Sequence, residues 1–577
     1  MNPSMNRRSF LAHAATGIAA GAIGINGRVE GRPATRATSG AAGTMVDTER
    51  SAIIDAMRTE GIEGTSVCLI ESGKVAWVEG FGTTGGHAAV AVDEQTIFSI
   101  QSTSKNFTAV GVLLAVQDGL LDLDAPISRY LPEFKVNSRF ESNPQDRITL
   151  RLLLSHRAGF THEGPVGNNY EPGTAGFTAH VRSISDTWLR YPVGERYRYS
   201  NLGFDLAGFI LQEKAGVPYA EWLRRKLFEP LGMHDSTADA AVYTARRNRA
   251  VGHEKGYDSV PAVTPLVASG GVYTSARDMA RYAVFHLDGG RIDGKPVLAP
   301  ALWEEMHGFG LGGDYGLGVI RNELRYGDTP VRVLSHKGGG FGFGCVFIYC
   351  PEAKLAWAAM FNRPVSAPYR FGRKLIDGLL TARFGAKAPR LNATDIAPIR
   401  PTAALKQKVA GTYVGRNLTA TIHDTDDGLR FESDAFEMHG PFLAVTPTAF
   451  FTADADRDLV AWTYTDAVGD LPAHLECSEG EAGVDYNEGP RDPKGPDRAA
   501  WSKYAGKYQI YQWGKPSLDV IIERRNGYLF INGVKLVIER EPGLFFTSDG
   551  EAVDFRTAAP TWRNLVLSRT TTGSVPL

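Results

Sequence analysis

Residues 49 to 388 carry strand-like runs at their two ends and helical periodicity between, and that order leaves few folds open. Thr65-Ser-Val-Cys-Leu-Ile70 and Lys74-Val-Ala-Trp-Val-Glu-Gly-Phe81 read as strands flanking Glu71-Ser72-Gly73, a hairpin signal. From Phe107 to about Gly290 the pattern is mostly helical, including Leu202 to Ala215 and Tyr219 to Leu227, with Pro/Gly loops between. Strand character returns at Val331-Arg-Val-Leu334, Gly344-Cys-Val-Phe-Ile-Tyr349 and Leu355-Ala-Trp-Ala-Ala-Met360, and a helix over Tyr369 to Arg383 follows. Strands from both ends with helices between predict an α/β (α+β) architecture. One antiparallel sheet is assembled from both ends of the segment and carries a large helical insertion.

At 577 residues the chain is too long for a single hydrophobic core. After Pro389 an internal repeat appears. Ala410-Gly-Thr-Tyr413 recurs as Ala505-Gly-Lys-Tyr508, and Asp427-Gly-Leu-Arg-Phe431 recurs as Asn526-Gly-Tyr-Leu-Phe530. Phe450-Phe-Thr-Ala-Asp454 recurs as Phe545-Phe-Thr-Ser-Asp549. Each Asx-Gly pair sits between alternating runs, as in a hairpin. The repeat predicts two small antiparallel β-barrels, at 400–486 and 499–577, joined by a Gly/Pro/Asp-rich linker over Asn487 to Pro496.

The N-terminus reads differently. Asn6-Arg7-Arg8-Ser9-Phe10-Leu11 leads into a weakly apolar, Ala/Gly-rich stretch to Ile25, the form of a twin-arginine export signal. Asn26 to Thr48 reads as processing region and linker, so the expected location is periplasmic or secreted. No other segment has the length and apolarity of a membrane span. A net charge of −2, with no Lys/Arg run, gives no argument for nucleic acid. Cys68, Cys345, Cys350 and Cys477 form no disulfide framework in a chain of this length and read mainly as buried thiols; Cys345 and Cys350, five apart, would face opposite sides of one strand. There is no CxxC or HExxH, so neither a metal nor another cofactor is expected.

The chemistry gathers around Ser102-Thr103-Ser104-Lys105, the only SxxK in the chain, at the mouth of an apolar-periodic helix. Serine and lysine three apart share one helix face, and the helix N-terminus favours developing negative charge. Tyr199-Ser200-Asn201 is the only YxN; it follows the turn Pro192-Val-Gly194 and precedes a helix. His336-Lys337-Gly338-Gly339 lies between two strands. A serine hydroxyl attacks a carbonyl only if something takes its proton. Lys105 could do so as a desolvated amine, or, as ammonium, could lower the pKa of Tyr199. Tyr199 would pass the proton to the leaving group, and Asn201 would meet an amide flanking the scissile bond. Glycines after His336 allow close backbone approach, so that a strand N–H, with that of Ser102, can face an oxyanion.

These motifs resemble those of the serine β-lactamase-related family, which includes class C β-lactamases, low-molecular-weight penicillin-binding proteins, carboxylesterases and D-aminopeptidases. Leu152-Leu-Leu-Ser-His-Arg-Ala-Gly159, Gly194-Glu-Arg-Tyr-Arg-Tyr-Ser-Asn-Leu-Gly203, Pro230-Leu-Gly-Met233 and Ser269-Gly-Gly-Val-Tyr-Thr-Ser-Ala-Arg-Asp278 are similar to further family signatures. The resemblance covers about residues 49 to 388. It implies Ser102 as nucleophile, Lys105 and Tyr199 as the acid/base pair, and Ser102 with Gly339 as oxyanion donors, on a β-lactamase/transpeptidase-like sheet with a helical subdomain. Asn201, His336, Gly338 and Gly339 are the remaining substrate and oxyanion candidates.

One departure carries weight. Family β-lactamases and transpeptidases usually have Lys-Thr-Gly or Lys-Ser-Gly at the strand motif, where the lysine binds the substrate carboxylate. Histidine stands there in this chain, at His336, as in D-aminopeptidases and many family esterases. A catalytic domain followed by two barrels is also similar to the D-aminopeptidase arrangement. The acidic turns Asp424-Thr-Asp-Asp427 and Asp454-Ala-Asp456 read as solvated hairpin tips or as groups that meet a substrate amine. The expected activity is an exported serine hydrolase, D-aminopeptidase-like or esterase-like, acting on a small molecule or short peptide. The alternatives are D-Ala carboxypeptidase or β-lactamase activity, and a non-catalytic peptidoglycan-binding protein. Oligomeric state is not legible.

Overall fold

The computed structural model describes residues 41–171, 175–258, 260–263, 265–308, 315–365, 367–387, 397–414, 419–433, 438–453, 459–466, 473–478, 485–488, 498–525, 527–532, 534–547 and 550–571. The twin-arginine segment, Asp454 to Asp456 and most of the proposed linker lie outside these residues. The chain divides into two compact units at residues 388 and 389.

The first unit is organised by a six-stranded antiparallel sheet, β1 (Gly64–Glu71), β2 (Lys74–Gly82), β3 (Ile320–Tyr326), β4 (Thr329–Gly340), β5 (Phe343–Cys350) and β6 (Leu355–Phe361), in the order β2-β1-β6-β5-β4-β3. The two ends of the unit meet where β1 pairs with β6, from Thr65 opposite Phe361 to Ile70 opposite Ala356. The β1–β2 turn uses left-handed backbone at Ser72 and Gly73, which matches the twist of a hairpin.

Both faces of the sheet are covered, which is why its inner strands are apolar at consecutive positions. Cys68, Ile70, Cys345, Phe347 and Ala358 join the core shared with the helical insertion. Their neighbours Val67, Leu69, Val346, Cys350 and Trp357 join a second core. That second core is closed by helices α1 (Ala41–Glu60) and α6 (Ala367–Phe384), through Val46, Ile53, Met57, Ile376 and Leu380. The expected linker therefore ends earlier than Thr48. Helix α1 starts at Ala41 because Val46, Ile53 and Met57 recur at helical spacing and need a surface to bury against.

Between these strands lie α2 (Ser104–Gln117), α3 (Asn201–Ala215), the single turn α4 (Val267–Gly270) and α5 (Ala276–Leu287). Helices α2 and α3 are buried along most of their length, and α4 is wedged against both. A Cβ at Gly208 would come within 2.2 Å of that of Ala268, so glycine lets α3 approach α4. Thr108 of α2 donates to the Ala268 carbonyl at 2.5 Å.

The strand motif differs from expectation in one respect. His336 does not lie between strands; β4 runs on to Gly340, with His336 opposite Phe347 and Gly339 opposite Gly344 on β5. Alternation then sends His336 and Gly338 to the insertion side of the sheet and Lys337 to the other, where its Nζ lies 3.4 Å from the centre of the Tyr369 ring on α6.

The second unit holds small antiparallel sheets. Residues 411–441 form a four-stranded sheet and residues 443–488 a five-stranded one. Both contribute to one core, in which Phe442 stacks on Phe450 at 4.6 Å and Phe431 lies 4.7 Å from Trp462. Residues 506–571 form a single nine-stranded sheet. The repeat is visible inside them. Hairpin pairing flanks both Asx-Gly positions, with Thr425 opposite Gly428 and Arg525 opposite Tyr528; Asn526 lies outside the described residues. Tyr413 and Tyr508 each donate a phenol hydrogen bond to the carbonyl four residues earlier, Val409 and Tyr504. The expectation of two closed barrels is corrected. Among the described residues neither set closes: the first is split into two sheets, and in the second the strand at 568–571 pairs with that at 506–512 but no ladder joins it to the strand at 565–566 on the sheet's other edge. Alternation and turn residues specify hairpins, whereas closure depends on pairing the ends of a sheet, which local pattern does not encode.

Two stability measurements follow from this packing. Cys68, Cys345 and Cys350 are buried free thiols, and burial pushes the first two up to about 12. No more than one of the four cysteines should react with Ellman's reagent in the native protein, and all four once it is unfolded. Gly338 faces backbone: a Cβ there would sit 2.0 Å from the Ile100 carbonyl oxygen. Gly338→Ala should lower unfolding free energy by about 1–3 kcal/mol in a denaturant titration; an unchanged midpoint would mean that β4 can retreat without cost.

Candidate active site

Ser102 sits on a 3₁₀ turn, Gln101–Thr103, that leads directly into α2. The turn begins with a strained residue, since Gln101 has φ +49°, a conformation that costs a non-glycine residue about 1–2 kcal/mol. Three contacts hold it there. The Gln101 amide donates to Ser99 Oγ at 2.8 Å, Ile100 N–H donates to the Val272 carbonyl, and Gly338 allows β4 to lie against the turn. Ser104, the other serine of the motif, is fully buried and accepts from Val272 N–H at 3.0 Å. Ser102 is the partly exposed one.

Lys105 is fully buried. Its Nζ lies 2.7 Å from Asn201 Oδ1, 2.9 Å from the Ser269 carbonyl oxygen and 3.1 Å from Ser102 Oγ. The first two atoms can only accept. A neutral amine has two hydrogens and one lone pair, so it can donate to both and still accept from the serine hydroxyl. The electrostatics run the same way. Burial pulls Lys105 down to about 7, against the charges of Asp205 and Glu163, which hold it up.

Tyr199 reaches the same hydroxyl. Burial pushes its phenol above the ordinary range while the neighbouring Ser102 works to lower it, and Lys105 Nζ lies 4.8 Å from its ring centre. The segment that carries it is tied down by His156. Arg198 N–H donates to the His156 carbonyl, Ser200 N–H donates to His156 Nδ1 at 3.1 Å, and the imidazole lies 4.3 Å from the Tyr199 ring. Burial and the nearby Lys105 hold His156 well below its usual range, so the ring is neutral and free to accept. Ser200 caps α3, accepting from Gly203 N–H, which sets Asn201 on the first turn facing Lys105.

The Ser269 carbonyl is aimed by Asp205, which stands four residues after Asn201 on α3. Its carboxylate accepts from Ala268 N–H and Ser269 N–H at 2.9 Å and from Ser269 Oγ at 2.7 Å. His180 Nε2 lies 3.2 Å from the same carboxylate, and its Nδ1 lies 2.7 Å from the Val166 carbonyl. Burial opposes a charge on His180, but Asp205 and that carbonyl hold its pKa above the usual range.

His336 is used differently from expectation. Its Nδ1 lies 2.8 Å from the Lys337 carbonyl and must donate to it, so Nε2 accepts from the Tyr315 hydroxyl, also at 2.8 Å. Burial and Lys105 pull the imidazole down to about 3. Both nitrogens are engaged, and the ring anchors Tyr315, which lies 4.7 Å from His156. Gly338 is packed on the nucleophile turn, and Gly339 is exposed.

The structure thus brings Ser102, Lys105 and Asn201 into one hydrogen-bonded group, with the Tyr199 ring beside it, Gly338 against it and His336 behind it. Asp205, Ser269, His156 and Tyr315 were not singled out from sequence. Asp205 carried a usable signal in its one-turn spacing from Asn201, and His156 and Ser269 stand in the family-like stretches. Among the described residues no group of three or more His, Cys, Asp or Glu is placed to hold a metal, and no helix is long and apolar enough to cross a membrane.

Comparison with known proteins agrees with this fold. Over 266 residues the chain is 27% identical to Beta-lactamase-like protein 4 of Dictyostelium discoideum, a match covering 43% of this chain and 46% of that protein. Over 241 residues it is 27% identical to Protein flp of Staphylococcus aureus (strain MW2), covering 39% of this chain and 46% of that one. The matches therefore span under half the length of these curated relatives. The crystal structure of SurE superposes with a TM-score of 0.53 at 22% identity, covering 78% of this chain and all of that one. The family model described as Beta-lactamase matches residues 50–381, more than half of the sequence. The chain belongs to the Beta-lactamase family, a mixed α/β fold whose members are usually serine hydrolases.

Proposed function

We propose that the protein hydrolyses a small amide or ester through an acyl-enzyme on Ser102. The observation that carries this is the buried Lys105 amine, 3.1 Å from Ser102 Oγ with its two other partners both acceptors. Of the two roles open to Lys105, its lowered pKa favours the general base over an ammonium that activates Tyr199. Lys105 takes the hydroxyl proton as Ser102 Oγ attacks the carbonyl carbon. Tyr199, kept as a neutral phenol, protonates the leaving amine or alkoxide and is reprotonated by the Lys105 ammonium, which returns to the neutral amine. The backbone N–H groups of Ser102 and Gly339 receive the oxyanion. His156 and Asp205 act through Tyr199 and Ser269 and are positioning residues.

For the substrate we favour an uncharged carbonyl neighbour over a carboxylate. His336 is neutral and fully engaged, and Lys337 lies on the far face of the sheet over Tyr369, so neither supports a carboxylate-binding lysine. This favours a D-aminopeptidase-like or esterase-like activity over D-Ala carboxypeptidase or β-lactamase activity. SurE has been crystallised with D-Leu, which makes D-leucyl as well as D-alanyl p-nitroanilides sensible first probes.

The native protein should hydrolyse one of these anilides or a p-nitrophenyl ester and take up a fluorophosphonate label, and Ser102→Ala should do neither. The acylation rate should rise about tenfold per pH unit up to about 7 and level off above it, because the base works only when neutral and Lys105 is held near that value. A native protein that neither turns over substrate nor accepts the label sinks the enzyme reading in favour of a non-catalytic binding protein. Export by the twin-arginine route is part of the same proposal. Changing Arg7 and Arg8 to Lys should retain the protein in the cytoplasm on fractionation, and unchanged secretion would remove that part.

A further inference from the structure

Hydrolysis through an acyl-enzyme needs a second base, or the same one twice, to activate water for deacylation. Three other imidazoles near Lys105 or its supports are buried. His156 Nδ1 accepts from Ser200 N–H, and its Nε2 is buried. His336 uses both nitrogens on Lys337 and Tyr315. His180 is sealed against Asp205 and Val166.

His162 is different. Its side chain is 37% exposed, and its ring stacks over that of Tyr199 at 5.7 Å with 23° between planes. Its Nδ1 lies 2.8 Å from Glu163 Oε1, leaving Nε2 as the open nitrogen. Glu163 is held in turn: its side chain is 6% exposed, Asn169 N–H donates to Oε2 at 3.1 Å, and the Asn169 amide donates to Oε1 at 2.8 Å. A buried carboxylate oriented from two sides and bonded to one nitrogen of a half-exposed imidazole fixes that ring's orientation and tautomer. The ring lies against the phenol that neighbours the nucleophile.

We infer that His162 is the base of the deacylation half-reaction and that Glu163 is its positioning residue; this rests on the acyl-enzyme reading of Ser102. A water molecule gives a proton to His162 Nε2 as its oxygen bonds to the acyl carbonyl carbon, and the carbonyl π pair moves onto oxygen. Collapse of that tetrahedral oxyanion breaks the bond between carbon and Ser102 Oγ, and the serine oxygen regains the proton from the imidazolium through Tyr199. A carboxylic acid leaves, and Ser102 and neutral His162 are restored. Lys105 serves acylation and the dyad serves water, so each base is kept for one half-reaction.

The test is rapid-quench hydrolysis of p-nitrophenyl butyrate, with mass spectrometry of the intact protein to read the Ser102 adduct. His162→Ala should keep the acylation phase, accumulate butyryl-enzyme and lose about 100-fold in deacylation, a loss partly restored by added imidazole. His162→Asn keeps a donor to Glu163, and with it the loop, but lacks the basic nitrogen, so it should be as slow in deacylation as His162→Ala. Full deacylation by His162→Asn, or acylation and deacylation falling together in both variants, would reduce His162 to a structural role and overturn the inference. If the native protein forms the adduct and clears it while the variants do so equally fast, the inference fails and the Ser102 reading stands. If the native protein never forms the adduct, both fail.

Discussion

Everything around the site is arranged to keep one amine dry and still hydrogen-bonded. Removing an amine from water costs several kcal/mol unless its hydrogens find acceptors and its charge is suppressed. Lys105 meets both terms, with Asn201 Oδ1 and the Ser269 carbonyl taking its two hydrogens. Those acceptors come from α3 and α4, and Lys105 from α2, so the amine joins three segments far apart in sequence. The supports behind it follow from the same demand. Asp205 fixes α4 through three donors, and Gly208 and Thr108 let it lie close to both helices.

The sheet supplies the opposite wall, and its two-residue period sorts the strand motif into two unrelated jobs. His336 and Gly338 point toward the insertion, where one anchors Tyr315 and the other lets β4 touch the turn before the nucleophile. Lys337, one residue along, belongs to the other core's surface and stacks on Tyr369. A three-residue motif read as a unit in sequence is therefore split by the pleat. The strain at Gln101 sits where this wall meets the turn, and it persists because the contacts on either side leave the residue no alternative.

The parts of the site legible in sequence are those whose geometry is local. Ser102 and Lys105 share a helix face by spacing, and Tyr199 and Asn201 flank a cap that any reader of helix starts would find. The β1–β2 hairpin and the strands that pair with it were legible for the same reason: apolar runs broken by turn residues. What was not legible acts through the main chain or over long separations. Ser269 contributes a carbonyl, which every residue has, so its identity carries no signal. His156 contributes a ring nitrogen and a carbonyl to a segment more than forty residues away. The role of His336 turned on which partners its nitrogens found, and barrel closure in the second unit turned on the pairing of distant strands.

The carboxylates near Lys105 decide how good a base it can be. Burial alone would drive the amine further toward neutrality, and a less basic amine holds a captured proton poorly. Asp205 and Glu163 act in the other direction without touching the amine, since its near partners are both uncharged. Each carboxylate has a second duty, Asp205 toward Ser269 and His180 and Glu163 toward His162 and Asn169. Those hydrogen bonds spread the negative charge, and His162 with Asn169 holds Glu163 below its ordinary range despite a burial that works to raise it. The neighbouring rings of His156 and His336 stay neutral, so no second cation competes with Lys105 for that field. The balance leaves the amine near the pH at which a general base is most useful, neutral often enough to accept a proton and basic enough to hold it.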